Sequence, residues 1–195
     1  MTGSDPKANL QLYLQRGRDA LLWKLDGLPE YDIRRPMTPT GTNLLGLVKH
    51  CAGVECGYFG AVMDRPFPGE DDLDWHDDEL DGDMYATAAE SREQVTGFYR
   101  RVQAHSDATI GELPLDAHGT VPWWPEERRH PTLHTLLVHT IQETARHAGH
   151  ADIIRESIDG AVGLREGVSN MPAEAGAAAW KQHYDKLDQI AQSVR

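Results

Sequence analysis

Residues 139–150 read HTIQETARHAGH and are the most informative stretch of the chain. Four potential metal ligands, His139, Glu143, His147 and His150, recur there at helical spacing. With about 100° between successive residues, all four fall within roughly 80° of one another on one side of an α-helix. Imidazole and carboxylate groups bury badly without partners, so this stripe predicts an inward-facing metal site on a long helix of a bundle.

The apolar residues of the same helix decide which members of the stripe face inward. Leucines, isoleucines and alanines of residues 133–154 border the stripe on one side. Glu143 and His147 lie nearest to that apolar side, whereas His139 and His150 lie nearer its edge. We therefore predict Glu143 and His147 as metal ligands. His139 and His150 are candidates for supporting a ligand, contacting substrate or replacing a ligand.

The third ligand has to come from another helix, and His50 is the candidate. Residues 43–54 read NLLGLVKHCAGV, with His50 one helical turn from apolar neighbours on both sides. A set of His50, Glu143 and His147 leaves one position open, as in catalytic rather than structural zinc sites. Mixed imidazole and carboxylate ligands suit Zn²⁺, which we expect, and also Ni²⁺ or Fe²⁺. The alternative interpretation of the stripe is a solvated polar face with Glu–His pairs; the HExxH arrangement of metalloproteases is absent.

Other residues of the second predicted helix bear on the site. Glycines at positions 46, 53 and 57 predict that another helix approaches closely. Glu55 falls on the apolar side, where it could orient a ligand imidazole or equally pair with an arginine.

Two tryptophans and an arginine near the fourth predicted helix are further candidates for substrate contact. Trp123 and Trp124 stand between prolines just before that helix. They could wall a pocket for a small molecule or cover the end of the bundle as a hydrophobic plug. Arg146, inside the ligand stripe, could bind an anionic group of a cosubstrate.

Composition narrows the class of protein. The chain has 195 residues and a formal net charge of −12, so an acidic surface argues against nucleic-acid binding. Its apolar stretches are far shorter than a membrane span, and residues 1–7 lack the apolar core of a signal peptide, so we expect a cytoplasmic protein. Cys51 and Cys56 have no metal-type spacing, and we expect free, buried thiols.

Helical periodicity without strand-like alternation predicts an all-α fold: a four-helix bundle with long crossover loops and an extra C-terminal helix. We assign residues 1–160 to the bundle and 161–195 to a linker and a helix that packs on the bundle or on a dimer partner. Thr42 is the predicted N-cap of the second helix, and residues 70–83 are predicted to be a solvated acidic connection. The predicted helices are 8–28, 42–63, 85–105, 131–160 and 177–192.

The chain resembles the DinB-like, damage-inducible four-helix metalloproteins, in particular an actinobacterial branch of unknown function. The resemblance covers about residues 8–160 and rests on residues 43–55, 119–124 and 139–156. It implies an up-down-down-up bundle, commonly dimeric. The family's metal set of one histidine from the second helix and two residues from a later one falls, by motif, on His50, Glu143 and His147.

The resemblance also implies a chemistry. Characterised relatives use low-molecular-weight thiols such as mycothiol, as S-transferases or as maleylpyruvate isomerases. We therefore expect a metal-dependent transferase that joins a small thiol to a small electrophile, with a metal-bound thiolate as the nucleophile and no catalytic side chain assigned. The alternatives are a thiol-dependent isomerase, a metal-water hydrolase, and a non-catalytic metal-binding protein of the stress response.

Overall fold

The structure is a computed structural model that describes residues 5–76, 78–169, 171–172 and 176–195. Over those residues the chain is helical, with two isolated β-bridges and no extended strand. The predicted all-α fold class is therefore confirmed. The helices are α1 (Pro6–Trp23), α2 (Glu30–Arg34), α3 (Leu44–Phe59), α4 (Arg92–Glu112), α5 (Leu133–Asp159) and α6 (Ala177–Ser193).

The first and last long helices of the bundle, α1 and α5, run side by side in the same direction. Gly17 of α1 lies against Thr144 of α5, close enough that an added Cβ would be 3.0 Å from the threonine methyl group. Seven residues further along α1, Lys24 forms a salt bridge with Asp152, eight residues further along α5. Since both positions advance together, the two helices are parallel.

The two middle helices run the other way. His50 of α3 lies beside His147 of α5, and Tyr58 lies beside His139, so α3 is antiparallel to α5. On its other side, α3 packs against α4 in a parallel orientation: Lys49 pairs with Glu90, just before α4, and Glu55 with Tyr99 within it. The directions of α1, α3, α4 and α5 are thus up, down, down and up, and the site lies where α3 faces α5.

Several helix boundaries differ from those predicted. The α3 helix begins after Asn43, whose side chain accepts a hydrogen bond from the Gly46 amide, and not after Thr42. The α4 helix begins seven residues later than predicted, at a capping box formed by Ser91 and Gln94, and it ends at Glu112 rather than at residue 105. The α1 helix ends at Trp23 rather than residue 28, and the short α2 was not predicted. Gly160, with a φ of 77°, ends α5 as expected.

The acidic segment after α3 is not a purely solvated connection. Its residue Leu73 is buried in the core, and the Trp75 ring packs on Phe98 with 5.6 Å between the ring centroids. The segment docks on α3 at two glycines: a Cβ on Gly46 would overlap the Met84 carbonyl, and one on Gly53 would lie 2.9 Å from the Trp75 ring. At Gly46 and Gly53 the predicted close approach is therefore made by the stretch that contains Trp75 and Met84 rather than by a long helix. At Gly57 an added Cβ would lie 3.8 Å from the Trp123 ring.

The C-terminal helix α6 is peripheral, because none of its described residues is buried. Tyr184, Leu187 and Ile190 on it are each more than half exposed. Three predicted segments lie partly outside the described residues. They are the N-terminus without a signal peptide (residues 1–4), the acidic segment (Asp77) and the linker (residues 170 and 173–175). No helix that the structure describes is long and apolar enough to cross a membrane.

Candidate metal centre

The side chains of His50, Glu143 and His147 meet between α3 and α5. Each offers one ligand atom, and these atoms all lie within 4.8 Å of one another. The two imidazole rings are 4.6 Å apart between centroids, and Glu143 Oε2 lies 3.4 Å from His147 Nε2. Among the described residues, this is the one such group of histidine, cysteine or carboxylate side chains. We call these three residues the metal triad.

His147 is the most deeply buried member of the metal triad. Burial, followed by the neighbouring His50, lowers its pKa to about 4, although Glu143 acts in the opposite direction. The imidazole is therefore neutral at pH 7, which is the form that binds a metal ion. Its Nδ1 atom is buried and has no hydrogen-bond partner among the described residues, as expected if the ring serves a ligand that the chain itself does not supply.

Asp83 holds the imidazole of His50. Its Oδ2 atom lies 2.7 Å from His50 Nδ1, and this hydrogen bond keeps the pKa of the Asp83 carboxyl below its ordinary value. With Nδ1 engaged as the donor, the lone pair of His50 Nε2 remains for a ligand. Carboxylates that orient a metal-binding histidine in this way recur in metal sites. Asp83 was not predicted, because the glycine spacing of α3 indicates a close approach but not which residue reaches His50.

The donor set and its surroundings fit a divalent cation. Two imidazoles and a carboxylate suit Zn²⁺, and three protein ligands leave a further position for a substrate atom. The orphaned Nδ1 of His147, its neutral ring and the carboxylate behind His50 each agree with that use.

An aromatic cluster lies two helical turns from the metal triad. The Trp124 indole donates to the Tyr58 hydroxyl over 3.1 Å, and that hydroxyl lies 3.2 Å from His139 Nε2. Trp123 packs on Tyr58 with a centroid distance of 5.8 Å, yet remains 60% exposed. Trp124 is packed and hydrogen-bonded, as a hydrophobic plug would be, whereas Trp123 presents an exposed face, as a pocket wall would.

Of the other predicted site residues, Arg146 and His150 are exposed, whereas Glu55 is buried. His150 is exposed and its ring lies 5.4 Å from that of His147, and Arg146 is exposed on the same helix. Glu55 does not contact the metal triad: it accepts hydrogen bonds from Arg18 and from the Tyr99 hydroxyl inside the bundle. Of the two roles that the sequence left open for Glu55, the structure has the arginine pair.

Both cysteines are free and buried, as predicted. Burial raises the pKa of Cys51, with Glu55 adding to the effect, and burial raises that of Cys56 to about 12. Neither thiol is therefore ionised at neutral pH, so any thiolate used in a reaction has to come from a bound molecule.

One protein family matches most of the chain. Residues 9–160 match the model of a protein family described as mycothiol S-transferase. The matched span contains α1 from residue 9 onward, all of α2 to α5, and every member of the metal triad. A search of curated proteins found no significant match.

Proposed function

The chain belongs to the mycothiol S-transferase family of the DinB-like superfamily, and from that membership we propose that it is a metal-dependent transferase that joins mycothiol to a small electrophile. The observation that carries the proposal is the convergence of the metal triad in a chain of this family. A thiol-related transferase follows from the family itself. The metal dependence and the substrates are our proposal.

His50, Glu143 and His147 would hold the metal ion, and we propose Zn²⁺ because of the mixed imidazole and carboxylate set. A bound divalent ion lowers the pKa of a thiol, which makes the sulfur a nucleophile at neutral pH. In the transfer, a carbon–sulfur bond forms as the leaving group departs with its electron pair, and the thiol proton passes to solvent.

The chain's own residues prepare the site for this step. Asp83 fixes the orientation of His50, and burial keeps His147 neutral. Hydrogen bonds hold Tyr58, Trp124 and His139 together as one cluster, which we propose forms a wall of the substrate site. We propose that Arg146 and His150, on the exposed side of α5, contact polar groups of the thiol.

A direct assay tests the transferase function. We expect the protein to speed the reaction of mycothiol with monobromobimane above the uncatalysed rate, to lose this activity with a chelator, and to regain it with Zn²⁺. Recovery with only Ni²⁺ or only Fe²⁺ would identify that ion, and not Zn²⁺, as the metal that supports activity. Turnover of an ester without thiol would indicate a hydrolase, and full metal occupancy with no turnover would indicate a binding protein; either result would contradict the proposal.

We further propose a homodimer in which α6 packs on a partner copy. Tyr184, Leu187 and Ile190 form one exposed apolar stripe on this helix, and such stripes are commonly covered in an assembly. Light scattering should give the dimer mass for the wild type and the monomer mass for Leu187→Asp/Ile190→Asp, whereas Gln182→Asp, on the opposite face of α6, should leave the mass unchanged. A monomeric wild type would refute the proposal.

A further inference from the structure

A cleft of ≈ 680 Å³ opens beside the metal triad. Its floor on α3 includes Gly53 and Gly57, which fall on the same helical stripe as His50, three and seven residues on. Asp83 belongs to both places: it lines the cleft and holds the His50 ring. A molecule bound in the cleft is therefore adjacent to the metal triad.

The cleft is strongly acidic. Glu70, Glu79, Asp81 and Asp83 line it, and no lysine or arginine is found among its described lining residues. Lys49 influences Asp83, but its ammonium group is buried in a salt bridge with Glu90. Low-dielectric walls concentrate the field of such carboxylates, so the cleft favours a positively charged occupant and disfavours an anion.

His76 gives an independent indication of a ligand. Its backbone has a φ of 52°, its ring stacks on Tyr85 at 4.9 Å, and its Nδ1 lies 3.1 Å from the Asp74 carboxylate. The side chain is 10% exposed and lines the cleft, yet its Nε2 has no hydrogen-bond partner among the described residues. Nε2 is therefore the polar atom of this ring that the described residues leave unsatisfied, which indicates a ligand at this end of the cleft.

The occupant that these groups fit is an organic cation and not a metal ion. Among the described residues, the cleft carboxylates and His76 do not bring three ligand atoms within 4.8 Å of one another, as the metal triad does. Trp75 and Trp123 also line the cleft, and indole faces attract ammonium groups. Carboxylates and two indole rings together suit an ammonium group carried on an apolar or aromatic body.

We infer that this cleft binds the electrophile and that the electrophile of this enzyme carries a primary ammonium group. The inference rests on the proposed transferase function, which supplies the thiol at the neighbouring metal triad. The ammonium group is held between the carboxylates of Glu79 and Asp81, which leaves the reactive carbon of the substrate toward His50 and Asp83.

Three electrophiles of one shape test the inference: 4-(bromomethyl)benzylammonium, 4-(bromomethyl)benzyl alcohol and 4-(bromomethyl)benzoate. In each reaction the mycothiol sulfur bonds to the benzylic carbon, bromide leaves with the bonding electrons, and the thiol proton goes to the buffer. For the wild type we expect kcat/KM for the ammonium compound to exceed that for the alcohol by at least about tenfold, with the benzoate slowest.

Variants that remove carboxylate charge test whether the cleft causes the preference for the ammonium compound over the alcohol. Glu79→Gln/Asp81→Asn should lower the ammonium-to-alcohol ratio of kcat/KM about tenfold. The matched control Glu93→Gln/Asp116→Asn removes the same charge from exposed positions outside the cleft and should leave the ratio unchanged. Equal kcat/KM values for ammonium and alcohol in the wild type, or a ratio that Glu79→Gln/Asp81→Asn does not lower, would overturn the inference.

Binding without turnover separates this inference from the transferase proposal. Calorimetry with unreactive benzylammonium, in the absence of thiol, should show about tenfold weaker binding to Glu79→Gln/Asp81→Asn than to the wild type. That result together with no turnover of any electrophile would support the cleft and contradict the transferase. A second equivalent of Mg²⁺ or Ca²⁺ bound per wild-type chain and lost in the same variant would overturn the cation inference in favour of a metal site.

Discussion

Two polar clusters each include a residue of α3. They differ in whether other side chains of the protein supply their hydrogen-bond partners. The first, which we call the core network, consists of Arg18, Glu55 and Tyr99. Glu55 accepts hydrogen bonds from Arg18 Nε over 3.0 and 3.1 Å and from the Tyr99 hydroxyl over 2.8 Å, all inside the bundle. The second is the metal triad, where the buried His147 Nδ1 has no hydrogen-bond partner among the described residues.

The comparison shows how a polar group that stabilises the fold differs from one that is available to bind a ligand. In the core network, each charge faces its partner, so the chain has nothing left to offer a ligand. In the metal triad, two imidazoles and a carboxylate each bring one ligand atom to within 4.8 Å of the others. The core network should therefore matter mainly to stability, and the metal triad mainly to binding.

The largest effect is expected from Arg18→Met. It leaves the buried Glu55 carboxylate without its counter-charge, which should lower the free energy of unfolding by about 3–5 kcal/mol. Urea unfolding of the metal-free protein measures the loss. Arg16→Met, at an exposed position on the same helix, should change stability by less than about 0.5 kcal/mol. A loss below about 1 kcal/mol for Arg18→Met would mean that the core network is not structural.

The next effect concerns how the acidic segment is held. An alanine methyl group at Gly46 would overlap the Met84 carbonyl, so Gly46→Ala should cost about 1–3 kcal/mol and displace Asp83 from His50. Gly111→Ala, where a Cβ meets open space on α4, should instead be neutral or stabilise by up to about 1 kcal/mol. Thermal unfolding compares the two; equal melting temperatures would contradict the docking of the segment on α3.

Asp83→Ala should act on binding rather than on folding. Without the carboxylate, the His50 ring loses its fixed orientation, and metal affinity should fall about 10- to 100-fold. Competition with a chromophoric chelator measures the affinity. Asp78→Ala, at an exposed position of the same segment, provides the control. Affinities of the two variants within threefold of each other would show that Asp83 does not position His50.

The smallest effect is a pH dependence of stability in the metal-free protein. The folded pKa of His147, about 4, is below its ordinary value of about 6.5, so the unfolded chain binds this proton more readily. The resulting stability is complete above about pH 6.5 and is lost as the pH falls toward 4. Between pH 7.5 and 5, the melting temperature of the wild type should fall more than that of His147→Gln, with exposed His134→Gln behaving as the wild type. Equal falls in wild type and His147→Gln would exclude a depressed pKa.

The parts of the site that follow from helical periodicity could be predicted. Glu143 and His147 are one turn apart on α5, so their common side is a local property of the sequence. His50 faces the interior because of its apolar neighbours on α3. The sequence thus predicted that the three side chains meet, as the structure has them, while metal binding itself stays a prediction.

Residues contributed by irregular segments could not be predicted. Asp83 reaches His50 because the acidic segment docks on Gly46 and Gly53, contacts between parts of the chain about 20 to 40 residues apart that no local pattern encodes. The start of α4 did carry a local signal, since Ser91 and Gln94 form a capping box, and the predicted start at residue 85 did not use it.

The most direct test is the metal content per chain of the purified protein by inductively coupled plasma mass spectrometry. The wild type and His139→Ala should contain about one metal ion per chain, and His50→Ala, Glu143→Ala and His147→Ala should contain almost none. A wild type that carries no metal and takes up none from excess Zn²⁺ or Ni²⁺ would contradict the account, because the metal triad would then be a polar helix face.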